Sequence, residues 1–119
     1  MPAVEQFARA RVVTDDDSQG ERDAVPVVLH YEPHHDPEAV RIVLPDARVR
    51  VFPRSLLEQG LRRPAGTGEV RVWPCGRVQT VLEFHSARGV SVVQIETKTL
   101  VDFLRRTYTE AMATAFAHG

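Results

Sequence analysis

The stretch FPRSLLEQGLRRPAGTGEVRVWP, from Phe52 to Pro74, contains one helix, one loop and one strand in succession. Proline at position 53 suits a first helical turn, where its missing N–H goes unused, and Leu56 and Leu57 give the segment an apolar side. The spacing predicts a short helix over Pro53–Gly60, ended by Gly60 in a left-handed conformation. Leu61–Gly68 holds Pro64, Gly66 and Gly68 and is expected to be a loop. Glu69–Trp73 alternates, with Val70 and Val72 on one face and Glu69, Arg71 and Trp73 on the other, and Pro74 stops it as a strand.

Upstream the pattern is all strand. Phe7–Val13 places Ala8, Ala10 and Val12 on one face and Arg9 and Arg11 on the other, a half-buried strand. Thr14–Asp23 is polar, contains Gly20 and reads as a loop. Val25–Glu32 is apolar and β-branched, with Pro26 pushing its start toward an edge. Pro33-His34-His35-Asp36-Pro37 is a turn. Ala39–Leu44 and Ala47–Phe52 are expected to pair as a hairpin around Pro45-Asp46, with Val49 and Val51 inward and Arg48 and Arg50 outward.

Downstream, Cys75-Gly76 turns the chain, and Arg77–Phe84 and Gly89–Glu96 form a hairpin through Ser86-Ala87-Arg88-Gly89. Leu100, Phe103, Leu104, Thr107, Tyr108, Ala111, Met112, Ala115 and Phe116 then follow helical spacing, and Thr99 with Asp102 resembles a capping box. The tally is about seven strands, one short helix and one long C-terminal helix, an α+β fold dominated by antiparallel sheet. At 119 residues the chain, 1–119, is expected to be one domain.

Apolar residues make up 43% and charged residues 26%, a globular composition. The net charge of −1 exerts no global pull toward nucleic acid or an acidic membrane, but its parts differ. Residues 1–40 hold nine acids and three bases, residues 41–77 three acids and eight bases, and the remainder four of each. An acidic first third and a basic middle can complement each other within the fold or between subunits. All but one of the bases are arginine, which suits paired or interfacial contacts. No apolar signal core or membrane-length stretch is present, and the single Cys75 suits a reducing compartment, so a cytoplasmic location is expected.

Residues with chemical potential do not combine. Glu32, His34, His35 and Asp36 share one turn, but adjacent histidines point apart and no second ligand pair follows, so no metal is expected. Cys75 has no His30, His85 or His118 in a recognisable partner motif. Gly66-Thr67-Gly68 lacks the Gly-Lys-Ser/Thr ending of a phosphate loop and leads into a strand, so no cofactor is expected either. The reading is of a protein that is not an enzyme.

Beyond this residue-level reading, Phe52-Pro53-Arg54-Ser55-Leu56-Leu57-Glu58-Gln59-Gly60-Leu61, running into Arg62-Arg63-Pro64-Ala65-Gly66-Thr67-Gly68-Glu69-Val70-Arg71-Val72-Trp73-Pro74, resembles the signature of the SsgA-like sporulation and cell division proteins of actinomycetes. Val25-Pro26 leading to Tyr31, Asp36-Pro37 with Ala39-Val40, and Phe103-Leu104-Arg105-Arg106-Thr107 are similar to further family segments, so the resemblance covers roughly residues 25–108. Cys75 departs from it, standing where a serine follows Trp-Pro. The resemblance implies a strongly curved antiparallel sheet with a long helix, similar to the Whirly single-stranded nucleic-acid binders, and assembly as a homotrimer. It also implies a regulator of sporulation septation at the division septum. Its partners would be division proteins, among them the tubulin-like FtsZ and other SsgA-like proteins.

The residues themselves offer contact candidates. Arg71 and Trp73 on one strand face form a hot-spot pair, set against a slightly favoured placement of Trp73 under the C-terminal helix. Arg48, Arg50, Arg62 and Arg63 are the other candidates, set against plain solvation. A protein–protein adaptor is the leading function. A single-stranded nucleic-acid binder is the alternative, opposed by the net charge and by only eight aromatic residues.

Overall fold

The structure is a computed structural model that describes residues 3–14, 21–45 and 48–118. Its elements run β1 (Val4–Thr14), β2 (Glu21–Tyr31), β3 (Ala39–Val43), β4 (Val49–Pro53), α1 (Arg54–Gly60), β5 (Ala65–Thr67), β6 (Val70–Cys75), β7 (Gln79–Ser86), β8 (Gly89–Glu96) and α2 (Thr97–His118). The strands form one antiparallel sheet in the order β4-β3-β2-β1-β8-β7-β6-β5. The α+β reading stands, with eight strands among the described residues in place of about seven.

The additional strand is β5, inside the expected loop. Ala65, Gly66 and Thr67 pair with Val72, Arg71 and Val70. Gly66 has φ +111°, open to glycine but not to other residues without strain, so a segment rich in turn residues still makes a short edge strand. At the N-terminal end, β1 and β2 extend into both ends of the expected Thr14–Asp23 loop, because their ladder continues to Val13–Glu21. The acidic run Asp15-Asp16-Asp17, Gly20, Asp46 of the expected hairpin turn and Ala47 of the expected strand after it lie outside the described residues.

The sheet is strongly curled. Phe52 on β4 and Phe84 on β7 have ring centroids 5.7 Å apart although four strands separate them in sheet order. In a flat sheet they would be about 24 Å apart at ~4.8 Å per strand. One source of curvature is a bulge where the β1–β2 register shifts between Ala10 and Val12. Ala24 sits there at φ +54°.

The concave face holds the core. Val27, Leu29 and Tyr31 from β2, Val40 and Ile42 from β3, Phe52 from β4, Val72 from β6, Leu82 and Phe84 from β7, and Val93 and Ile95 from β8 are buried together. Leu100, Phe103 and Leu104 of α2 close it, as the 3.6-residue spacing predicts. The helix begins at Thr97, directly after β8, so Thr99 lies inside it and does not cap it. The Thr97 amide donates to Val78 O at 2.8 Å, and its hydroxyl shares a hydrogen bond of 2.7 Å with Thr80. Gln6 Nε2 of β1 donates to Thr99 O, and Arg106 donates to Glu5 O. Expected helix positions Ala115 and Phe116 lie outside the described side chains.

Gly60 is a glycine for a different reason from the one expected. It is the last residue of α1 and has no positive φ; the residue after it, Leu61, is right-handed at φ −70°. A Cβ at Gly60 would collide with the Val72 side chain and come within 2.9 Å of Val72 O. Close approach of α1 to β6, not chain reversal, selects it.

Candidate protein-contact surface

Alternation sends half of each strand's side chains to the convex face. Phe7 of β1 stands opposite Val28 of β2, Val28 opposite Val43 of β3, and Val43 opposite Val49 of β4. The result is an apolar row across four strands, with Val51 one step along β4. Phe7 is 75% exposed, Val49 46% and Val51 49%. Polar and charged residues rim the row: Glu5 faces His30, His30 faces Arg41, and Arg41 faces Val51. On its other side Arg9 donates to Ala24 O at 2.7 Å. An exposed apolar strip with a polar rim is the anatomy of a contact surface.

This placement reverses the expectation for β4. Val49 and Val51 face outward, while Arg50 lies on the concave side with Phe52. Phe52 decides the parity: its ring is 2% exposed and buries far more apolar area than either valine, and an arginine stem can lie along apolar surface. Arg50 stands opposite Ile42, and its Nε is fully buried with no hydrogen-bond partner.

Trp73 is not under the C-terminal helix. It is half-buried on the convex face of β6, opposite Val81, which is only 3% exposed and lies apart from the main core. Arg71 shares that face, is exposed and stands opposite Glu83. Arg62 and Arg63 are exposed in the turn after α1. The structure therefore brings Arg71 and Trp73 together on one strand face. Arg50 belongs to β4 at one end of the sheet, with Arg48 directly before that strand, and Arg62 and Arg63 lie beside β5 at the other.

A polar cluster that the sequence reading did not anticipate joins α1 to the rest of the fold. The Arg54 guanidinium lies 4.0 Å from the Tyr108 ring centroid and 5.3 Å from that of Tyr31. Arg54 also donates to the Tyr31 hydroxyl at 3.2 Å, Tyr31 donates to Pro37 O at 3.0 Å, and Tyr108 donates to Glu58 at 3.0 Å. Burial raises both phenols above the ordinary tyrosine value, Arg54 opposing the shift in each and the Glu58 hydrogen bond adding to it at Tyr108. Both are protonated near neutrality, and the cluster is a clamp rather than a reactive site.

Elsewhere the polar groups are dispersed. In the Glu32–Pro37 turn the amides of His35 and Asp36 donate to Glu32 O, and His30 lies 3.3 Å from Glu32. Among the described residues no three His, Cys, Asp or Glu side chains are grouped to hold a metal ion. The depression lined by Arg9, Arg11, Gln79, Gln94 and Glu96 is shallow and open. Cys75 is half-buried and faces Gln79. Among the described residues no helix is long and apolar enough to cross a membrane.

By architecture this is a curled antiparallel sheet closed by two helices, with its unspent apolar side chains on the convex side. Comparison with known proteins gives that architecture a family. Residues 25–114 match the family described as Streptomyces sporulation and cell division protein, SsgA, and the chain belongs to it. It is 38% identical over 92 residues to the sporulation-specific cell division protein SsgB of Frankia casuarinae, covering 71% of this chain and 63% of that protein. To SsgB of Streptomyces coelicolor it is 42% identical over 60 residues, 48% of this chain and 44% of that one. The chain thus spans less than two thirds of the length of these relatives. A solved structure from work on SsgB and longitudinal cell division during sporulation of Streptomyces coelicolor superposes with a TM-score of 0.70 at 31% identity, covering 88% of this chain and 85% of that one. The SsgA-like sporulation-specific cell division protein of Thermobifida fusca gives 0.69 at 28% identity, covering 90% and 80%.

Proposed function

We propose that the chain acts in sporulation-specific cell division as a non-enzymatic adaptor that holds division proteins where the septum forms. Family membership supports the process, since the relatives are sporulation-specific cell division proteins. The single observation that supports the adaptor mechanism is the convex row Phe7–Val28–Val43–Val49, apolar side chains left exposed or half-buried on the outer face of the sheet. Arg41, Arg71 and Trp73 on the same convex face supply the polar and aromatic contacts that interfaces favour. The row carries one aromatic ring, Phe7, which fits a protein partner better than a run of stacked bases.

The proposed partners are FtsZ and other SsgA-like proteins, and the proposed assembly is a homotrimer, which sedimentation of the purified chain tests. For the adaptor itself, the purified chain and a Phe7→Ser/Val49→Ser double variant are compared for co-purification with division proteins from sporulating cells. Loss of those proteins in the variant, with an unchanged circular dichroism spectrum, is the expected result. Full retention removes the convex row from the function. Single-stranded oligonucleotide binding that falls steeply with salt would replace the adaptor with a nucleic-acid reading.

A further inference from the structure

The strand β4 ends the sheet, and among the described residues no strand pairs with its far side. Its ladder with β3 fixes which backbone groups are spent. Leu44 N bonds to Arg48 O and Arg54 N to Glu38 O, so the bonded pairs fall at Arg48, Arg50, Phe52 and Arg54. By the alternation of antiparallel pairing, the N–H and C=O of Val49 and Val51 point away from β3, to the open edge. The same strand carries the half-exposed Val49 and Val51 on its convex side and, on its concave side, Arg50 with a buried Nε that meets no acceptor. The Nε itself is closed off, but Arg50 is only half-buried, and an acceptor brought laterally by a neighbouring strand would meet the rest of its guanidinium.

Charge selects among occupants. Pairing β4 with β4 of a second copy would bring Arg48 and Arg50 of both chains together. Pairing it with the other sheet edge, β5, would bring it beside Arg62 and Arg63. Both joins set like charges against each other. A foreign segment with carboxylates on the Arg50 side and apolar residues on the Val49/Val51 side satisfies both faces. We infer that β4 is a strand-addition site that takes an extended protein segment alternating apolar and acidic residues, whose carboxylate meets Arg50. Backbone pairing supplies the affinity and the alternating side chains the selectivity. This rests on the adaptor reading and names the partner chemistry for the β4 end of the same surface.

The test uses two heptapeptides, one alternating valine and glutamate and one alternating valine and lysine, each titrated into the full chain. Amide hydrogen exchange is followed by NMR and affinity by fluorescence anisotropy. The expected result is that the glutamate peptide alone binds, slows exchange at Val49 and Val51, and weakens as salt rises. Arg50→Met and Val51→Pro should each weaken it about tenfold or more, since a charge-assisted bond or an edge donor is lost. Arg50→Glu should shift preference to the lysine peptide, which a merely destabilised fold would not do. Equal binding of both peptides, or no change at Val49 and Val51, overturns the inference. If Val51→Pro still co-purifies with division proteins while neither peptide binds, the edge site fails and the adaptor stands. If the glutamate peptide binds but no division protein co-purifies, the adaptor fails and the edge site stands.

Discussion

The two faces of the sheet are built from the same strands and differ in what they have spent. On the concave side Tyr31, Leu29, Ile42, Leu82 and Phe103 are fully buried. On the convex side Phe7, Val49 and Val51 remain exposed, Val51 directly beside the buried Phe52. Stability therefore follows residue parity rather than residue type, and a valine's role is set by its neighbours across the ladder. Single substitutions can break this contrast or sharpen it.

The largest effect is expected at the centre of the concave face. Phe103→Ala should cost about 3–5 kcal/mol by leaving a cavity under α2, seen as a lower melting temperature. An unchanged melting temperature would falsify the docking of α2 described above. Next comes Gly60→Ala, where a methyl group meets Val72 and its carbonyl; overpacking of this kind costs about 1–3 kcal/mol in urea denaturation. Arg54→Met removes stacking on Tyr31 and Tyr108 and should cost about 1–2 kcal/mol.

The same clamp gives a pH signature. Both phenols are raised above their ordinary value, so in alkali the unfolded chain ionises first and releases protons that the native state retains. This contribution is fully present below about pH 10 and is lost as pH climbs through the folded values. Denaturation midpoints should be flat between pH 7 and 9 with respect to these groups and fall above 10, less so in a Tyr31→Phe/Tyr108→Phe variant. The smallest stability effect is expected on the convex side: Phe7→Ser should change stability by no more than about 0.5 kcal/mol while abolishing co-purification with division proteins.

Much of this architecture was legible in the sequence because periodicity reports burial. Alternation, β-branched runs and the turn residues between them located seven strands, and nine positions at 3.6-residue spacing located α2. β5 was not legible, since Pro64, Gly66 and Gly68 are turn residues by composition and only the pairing with β6 makes Ala65–Thr67 a strand. The candidate site was half legible. Arg71 and Trp73 were set on one face, where they lie, whereas the β4 valines were set inward and Arg48 and Arg50 outward. Phe52, on the arginines' side, carried the opposite signal. Phe7 likewise shares its parity with Arg9 and Arg11, so the exposed end of the convex row was readable. The Arg54 clamp was not, because it joins side chains from β2, α1 and α2 that sequence spacing does not relate.

The position of β1 in the middle of the sheet has a consequence for biosynthesis. Its two neighbours are β2, which follows it directly, and β8, which comes nearly last; α2, which bonds to Gln6 and Glu5, comes last of all. While the chain leaves the ribosome, β1 can zip to β2, but its other border stays unmatched until β8 has emerged. Completion of the core therefore waits for β8 and α2, and until then the nascent chain carries a central strand paired on one side alone.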